Sequence, residues 1–161
     1  MRTKLVFNAD AAVAAWVGAR IPTVGYDGFG PCSAIGIIRK NYTPVAGIVY
    51  HDYQKEHRTI QISMAADSPF WATRANILAL LSYPFEQLDC FKVFTITPDE
   101  NEIALRVNVH IGFETEAVLA HQFGPDRHAV FCSMIKPQFD RIKDCKKWEK
   151  RHRPFLRPPI Q

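Results

Sequence analysis

The alternation of apolar and polar positions changes period several times along the chain, and each change marks an element. Residues 3–8, TKLVFN, suit a first strand. Residues 10–21, DAAVAAWVGARI, follow as a helix, with Asp10 at the N-cap and strong helix formers behind it. The Gly- and Pro-rich stretch 22–32 is a loop. Three strands come next, at 33–40, 44–53 and 57–66, joined as hairpins through the polar stretches NYT and QKE. In the third, Ile60, Ile62 and Met64 alternate with Thr59, Gln61 and Ser63, so one face is buried and the other lines something wetter. Over 67–85 the period turns helical. Trp71, Ala75, Leu78, Leu81 and Phe85 make one stripe, capped by Asp67 or Ser68, with Pro69 in the first turn.

Residues 90–97, CFKVFTIT, form a strand by their β-branched and aromatic content. A helix over 98–111 opens on Thr97-Pro98-Asp99-Glu100 as a capping box and buries Ile103, Ala104, Val107 and Ile111. It stops at Gly112, which can take the left-handed conformation. FETEAVLAHQF and RHAVFCSMI flank Gly124-Pro125-Asp126 as a hairpin, and a last helix begins at Lys136. The order is β-α-β-β-β-α-β-α-β-β-α. The crossover between strands 57–66 and 90–97 makes that pair parallel, while the hairpins make their neighbours antiparallel. The fold class is α/β (α+β): a mixed, mostly antiparallel central sheet with helices on both faces.

The 161 residues fit one domain, taken as 1–140, followed by a basic C-terminal helix or tail over 141–161. No window is long and apolar enough to span a membrane, and the first residues carry no export leader, so a cytoplasmic protein with no membrane partner is expected. Cys32, Cys90, Cys132 and Cys145 form no C-x-x-C pair and are expected as free thiols. Charge is uneven. The last 21 residues hold eight Lys or Arg against two acids, while the whole chain nets only +4. Such a tail can attract phosphates of nucleic acid or of a cofactor, or can simply be a solvated end.

Asn101, Ala104 and Gly112-Phe113-Glu114, in that spacing and in this order of elements, resemble the GCN5-related N-acetyltransferase (GNAT) superfamily. The similarity is greatest to the branch that includes ribosomal-protein acetyltransferases, and YPFEQLDCFKVFTIT resembles the helix end and strand of that branch. The resemblance covers about residues 33–136. It implies a V-shaped split between the two parallel strands, with acetyl-CoA in it. Diverging strands leave main-chain groups without partners, and an amide-bearing pantetheine arm can satisfy them as an added strand would. By this resemblance Met64, Ala65 and Ala66 line the split, and the pyrophosphate sits at the following helix start, at Phe70, Trp71, Ala72, Thr73 and Arg74. Asn101 is expected at the pantetheine or phosphates. Two departures stand out. SPFWATR lacks the glycines of the family's phosphate loop. Asn108, grouped with the cofactor-binding residues, occupies the place of the family's Tyr and is no adequate acid for a departing thiolate.

Acyl transfer to an amine needs the amine neutral, and a lysine-like amine has a pKa of about 10.4, so a base helps. Ser63, His51 and Asp67 are the candidate catalytic groups, with Tyr50, Asp52 and Tyr53 nearby. The plain alternative for Tyr50–Tyr53 is a polar strand end. His110, His121 and His128 read as structural, and no histidine spacing marks a metal site. The leading expectation is an acyl-CoA-dependent N-acyltransferase acting on an amine acceptor. A second is DNA adenine modification on the same scaffold, similar in kind to the phage Mom protein: the glycine-less loop, the missing Tyr and the basic end with Trp148 and Phe155 fit it. A third is a GNAT-shaped binding module without catalysis.

Overall fold

The computed structural model describes residues 2–145. Seven strands form one sheet: β1 (Thr3–Val6), β2 (Cys32–Arg39), β3 (Pro44–Gln54), β4 (Thr59–Ala66), β5 (Lys92–Pro98), β6 (Glu114–Leu119) and β7 (Ala129–Ile135). Their order across the sheet is β1-β2-β3-β4-β5-β7-β6, and of the described strand pairs only β4 and β5 run parallel. The helices are α1 (Asp10–Gly18), α2 (Arg74–Ser82), α3 (Glu102–Ile111) and α4 (Lys136–Asp144). The element order and the parallel pair match the sequence pattern. Residues 146–161, including Trp148 and Phe155, lie outside the described residues.

The sheet separates two apolar clusters. On one face Ile35, Ile37, Ile48, Tyr50, Ile60, Ile62 and Val93 meet α2 and α4, and Leu105, Val107 and Ile111 of α3 pack at the margin. Phe85 stacks on Phe139 at 5.0 Å, and both are fully buried. Tyr50 is buried as well and donates its hydroxyl to the Leu80 carbonyl at 2.7 Å, which satisfies the one polar atom that its burial would orphan. On the other face α1 sets Val13, Ala14, Trp16 and Val17 against Ala34, Val49 and Ala65. A Cβ on Gly47 would lie 2.7 Å from Val17 Cγ2, so this glycine lets the helix sit close to β3.

Several boundaries differ from the sequence expectation, each for a local reason. Asp10 is the first helical residue rather than the cap, because its carboxylate accepts the Ala34 amide at 2.8 Å and ties α1 to β2. The helix expected over 67–85 breaks into three pieces. Ser68 caps a short 3-10 turn, Pro69–Trp71; Thr73 then caps α2; and Tyr83–Gln87 close it as a π-helical turn. Its buried side chains are therefore Asn76, Ile77, Leu80 and Leu81, while Ala75 of the expected stripe is exposed. The capping box at Thr97–Glu100 is not formed, since β5 runs through Pro98 and Asn101 caps α3 by accepting the Ala104 amide at 3.2 Å. Ile103 accordingly faces solvent, not the core. Gly112 does end α3 with φ at 122°, and a Cβ there would meet Ile142 Cδ1 at 2.5 Å.

Candidate active site

Strands β4 and β5 are joined at one end only. The ladder pairs Thr59 with Lys92, Ile60 with Val93 and Gln61 with Phe94, and then stops. Beyond it β4 continues to Ala66 bonded to β3 alone, and β5 continues to Pro98 bonded to β7 alone. Residues 62–66 therefore form one arm of a fork, and 95–98 the other. At about 3.3 Å per residue the open arm of β4 is roughly 16 Å long. Met64 and Ala65 on it are partly buried and Ala66 is exposed.

After β4 the chain makes the 3-10 turn Pro69–Trp71 and then enters the N-terminus of α2 at Thr73. Thr73 Oγ1 accepts the Asn76 amide at 3.1 Å, which leaves the amides of Arg74 and Ala75 as the first-turn donors without an intrahelical carbonyl. Buried Asn76 fixes the turn by donating to the Trp71 carbonyl at 2.8 Å and to Thr3 Oγ1 at 3.0 Å. Of the five residues assigned to phosphate, Trp71 and Ala72 have their side chains buried in the core, Phe70 is half-buried in the 3-10 turn, and Thr73 and Arg74 stand at the helix start. The Arg74 guanidinium donates to the Lys143 carbonyl at the end of α4, at 2.7 Å. Opposite, α3 is pinned to β5 where Asn108 Nδ2 donates to Thr95 Oγ1 at 3.3 Å and Thr97 Oγ1 at 3.4 Å.

The face of β4 toward α1 carries Gln61, Ser63 and Ala65. Ser63 pairs in register with Val49, which packs on α1. Diagonally across β3, His51 Nε2 lies 2.8 Å from Ser63 Oγ. His51 is 8% exposed, and its ring meets Phe29 at 5.1 Å. Its Nδ1 lies 3.5 Å from Asp52 Oδ2. Burial holds the His51 pKa below the usual 6.5, and the Asp52 carboxylate opposes that only in part. Asp67, the third candidate, is occupied otherwise. Arg20 grips both its oxygens, at 2.9 and 3.0 Å, while lying 3.5 Å over the Trp16 ring. That bond holds the Asp67 carboxyl below its usual range and makes it a poor proton acceptor.

Beside this cluster, between α1 and residues 24–32, lies a groove of about 560 Å³. Asp10 and Asp27 line it, no basic side chain among the described residues does, and its wall shares Phe29 and Cys32 with the surroundings of His51. At the far end of the sheet His121, Asp126 and His128 gather within 4.8 Å. Both Nδ1 atoms there accept backbone amides, from Asp126 at 3.1 Å and His121 at 2.9 Å. A neutral ring that accepts at Nδ1 carries its proton on Nε2 and offers a metal no lone pair. These histidines staple the β6–β7 hairpin, and His110 bonds the Arg106 carbonyl within α3.

Solved acetyltransferases share this fold. A point mutant of the spermidine N-acetyltransferase from Vibrio cholerae superposes with a TM-score of 0.70, at 14% identity over 85% of this chain and 95% of that one. The spermidine/spermine N-acetyltransferase of the same organism in complex with manganese ions gives 0.69, at 13% identity over 87% and 96%. The fold is the GNAT fold. In sequence, the spermidine N(1)-acetyltransferase of Escherichia coli K12 is 31% identical over 94 residues, 56% of this chain. The chain spans about half the length, 50%, of the curated relatives it matches. No family model matches it. These relatives are named for spermidine and spermine, and they lend no support to the ribosomal-protein branch or to a Mom-like DNA-modifying enzyme.

Proposed function

We propose that this protein is an acetyl-CoA-dependent N-acetyltransferase whose acceptor is a small polycationic amine. The observation that carries the reading is the fork of β4 and β5 opening onto the α2 N-terminus. Acetyl-CoA would place its pyrophosphate at the amides of Arg74 and Ala75, with Thr73 beside them, where the helix dipole favours anions. Its pantetheine arm would run inward along Met64, Ala65 and Ala66 as a surrogate strand. The thioester then reaches the apex of the fork, near Ile62 and Ser63. The absence of glycine in 68–74 is compatible with this, because Trp71 and Ala72 turn inward and leave the backbone as the phosphate contact. The acceptor would enter from the α1 face. An acidic groove with no basic side chain among the described residues favours a cation there, and polyamines are the acceptors named for the relatives.

The test is ligand-induced stabilisation combined with turnover. Acetyl-CoA at about a hundred times its Kd should add roughly 2.7 kcal/mol to stability, which for a chain of this size raises Tm by about 5–10 °C. Spermidine should then release CoA thiol in stoichiometry with acetylated amine. No Tm shift with millimolar acetyl-CoA would remove the reading. Salt-steep binding of duplex DNA in its place would restore the nucleic-acid alternative.

A further inference from the structure

The Ser63–His51–Asp52 alignment at the fork is not required by packing. A buried strand position opposite Phe29 would be filled more cheaply by an apolar side chain, and here it holds a histidine whose route to Ser63 is a diagonal cross-strand contact. Asp52 reaches Nδ1 because the strand is irregular there: the β3–β4 register shifts between His51 and Gln54, and Asp52 sits at φ 51°. Left-handed backbone is uncommon for a residue other than glycine, and irregularities of this kind gather at functional sites. A carboxylate at Nδ1 keeps the ring proton on that nitrogen, so Nε2 is the acceptor and the Ser63 hydroxyl is the donor.

We infer that Ser63 and His51 are the proton relay of the transfer step, with Ser63 touching the acceptor nitrogen and His51 acting through it. The inference rests on the N-acetyltransferase reading above. The amine nitrogen forms a bond to the thioester carbonyl carbon, and the positive nitrogen of the resulting adduct gives a proton to Ser63 Oγ. The Ser63 proton passes to His51 Nε2. The C–S bond then breaks and its electron pair leaves with the CoA sulfur, while the imidazolium, stabilised by Asp52, later returns the proton to solvent or thiolate. The groups facing His51 from each packed element are consistent with a neutral resting ring. β2 offers the Cys32 thiol, itself pushed up by burial; β4 offers Gln61 and Ser63; the 22–31 segment offers the Phe29 ring; and of these described neighbours only Asp52 is charged.

Three variants test this with acetyl-CoA and spermidine: Ser63→Ala, His51→Gln and Asp52→Asn. The relay predicts a loss of kcat on the order of 100-fold in each of the first two, with acetyl-CoA affinity unchanged. The wild-type kcat/KM should show an acid limb below pH 6.5, absent in His51→Gln. In exposed Asp52→Asn, which is safe for folding, the limb should move to lower pH, because the carboxylate that raised the His51 pKa is gone. A structural role for Asp52 would not move it. The relay is overturned if Ser63→Ala turns over at the wild-type rate, if the limb stays fixed in Asp52→Asn, or if trapping with acetyl-CoA alone leaves an acetyl group on Ser63. The last result would make the serine a nucleophile. Failure of wild type to bind acetyl-CoA at all would instead sink the parent reading.

Discussion

The two ends of the β4–β5 pair are built in opposite ways. At the closed end the main chain is used up. The Arg58 carbonyl accepts amides from both Phe91 and Lys92, at 2.7 and 3.1 Å, and the Arg58 guanidinium bonds the Asp89 carbonyl at 2.8 Å and carboxylate at 3.0 Å. Ile60 and Val93 stand at that end with 1% and 0% exposure. At the open end each strand is held by its outer neighbour, β4 by β3 and β5 by β7, and Asn108 of α3 adds side-chain bonds to Thr95 and Thr97 of β5. The ladder forms where Ile60 and Val93 are buried, and it stops where each strand is bonded only to its outer neighbour, which leaves the facing main-chain groups without a strand partner. The cleft is thus a property of the supports, not of the two strands.

The comparison breaks most visibly at the closed end. Ile60→Ala removes a fully buried side chain beside the last ladder pairs and should cost about 2–5 kcal/mol, read as a lowered urea midpoint. Acetyl-CoA Kd should stay within about twofold at temperatures where the variant is folded, because the open arm keeps its β3 support. A Kd that rises in step with the stability loss would show that both ends act as one unit.

Much of this is visible in the residues. The period-two run puts Ile60 and Ile62 in the core and leaves Gln61 and Ser63 half-buried on the face under α1, and Gly112 ends α3 as its position suggests. The fork itself is legible only through resemblance, because a ladder that stops at Gln61 leaves no mark on the alternation. The break at 72–73 is hidden because Ser68 and Thr73 are both competent caps, and the turn at Pro69–Trp71 mimics a helical start. The buried stripe of α2 is displaced in consequence. Pro98 looks like a first helical residue and draws Asn101 into the helix, whereas Pro98 closes β5 against Ala129. The Ser63–His51 contact depends on hairpin register, and Arg20 grips Asp67 across 47 residues, a separation over which a sequence pattern carries no geometry.

A smaller effect is expected at the helix that follows the open arm. Thr73→Ala removes the cap of α2 and should cost about 1 kcal/mol. Here affinity should follow stability, since the same first turn is proposed to hold the pyrophosphate. A stability loss with unchanged acetyl-CoA Kd would move the phosphate site elsewhere. Asn101→Asp separates two roles on α3. Aspartate caps as well as asparagine, so stability should hold, but its charge should weaken acetyl-CoA several-fold if residue 101 lies near the phosphates. Unchanged affinity would leave Asn101 a cap alone.

The smallest effect belongs to the clamp at the exit of the open arm. The Asp67 amide continues the ladder by donating to the Val45 carbonyl at 2.8 Å, and its carboxylate ties the end of α1 to β4 through Arg20. The folded-state pKa is depressed below 3.8, so the contribution is fully present above that unfolded value and is lost as pH falls through the folded one. Asp67→Asn lacks it at every pH. The gap in urea midpoint between wild type and variant should therefore be constant well above the unfolded value and narrow as pH falls below it, and because the pair is partly exposed, added salt should narrow it too. A gap that survives both acid and salt would mean that the side chain matters for the shape of the turn into α2, not for its charge.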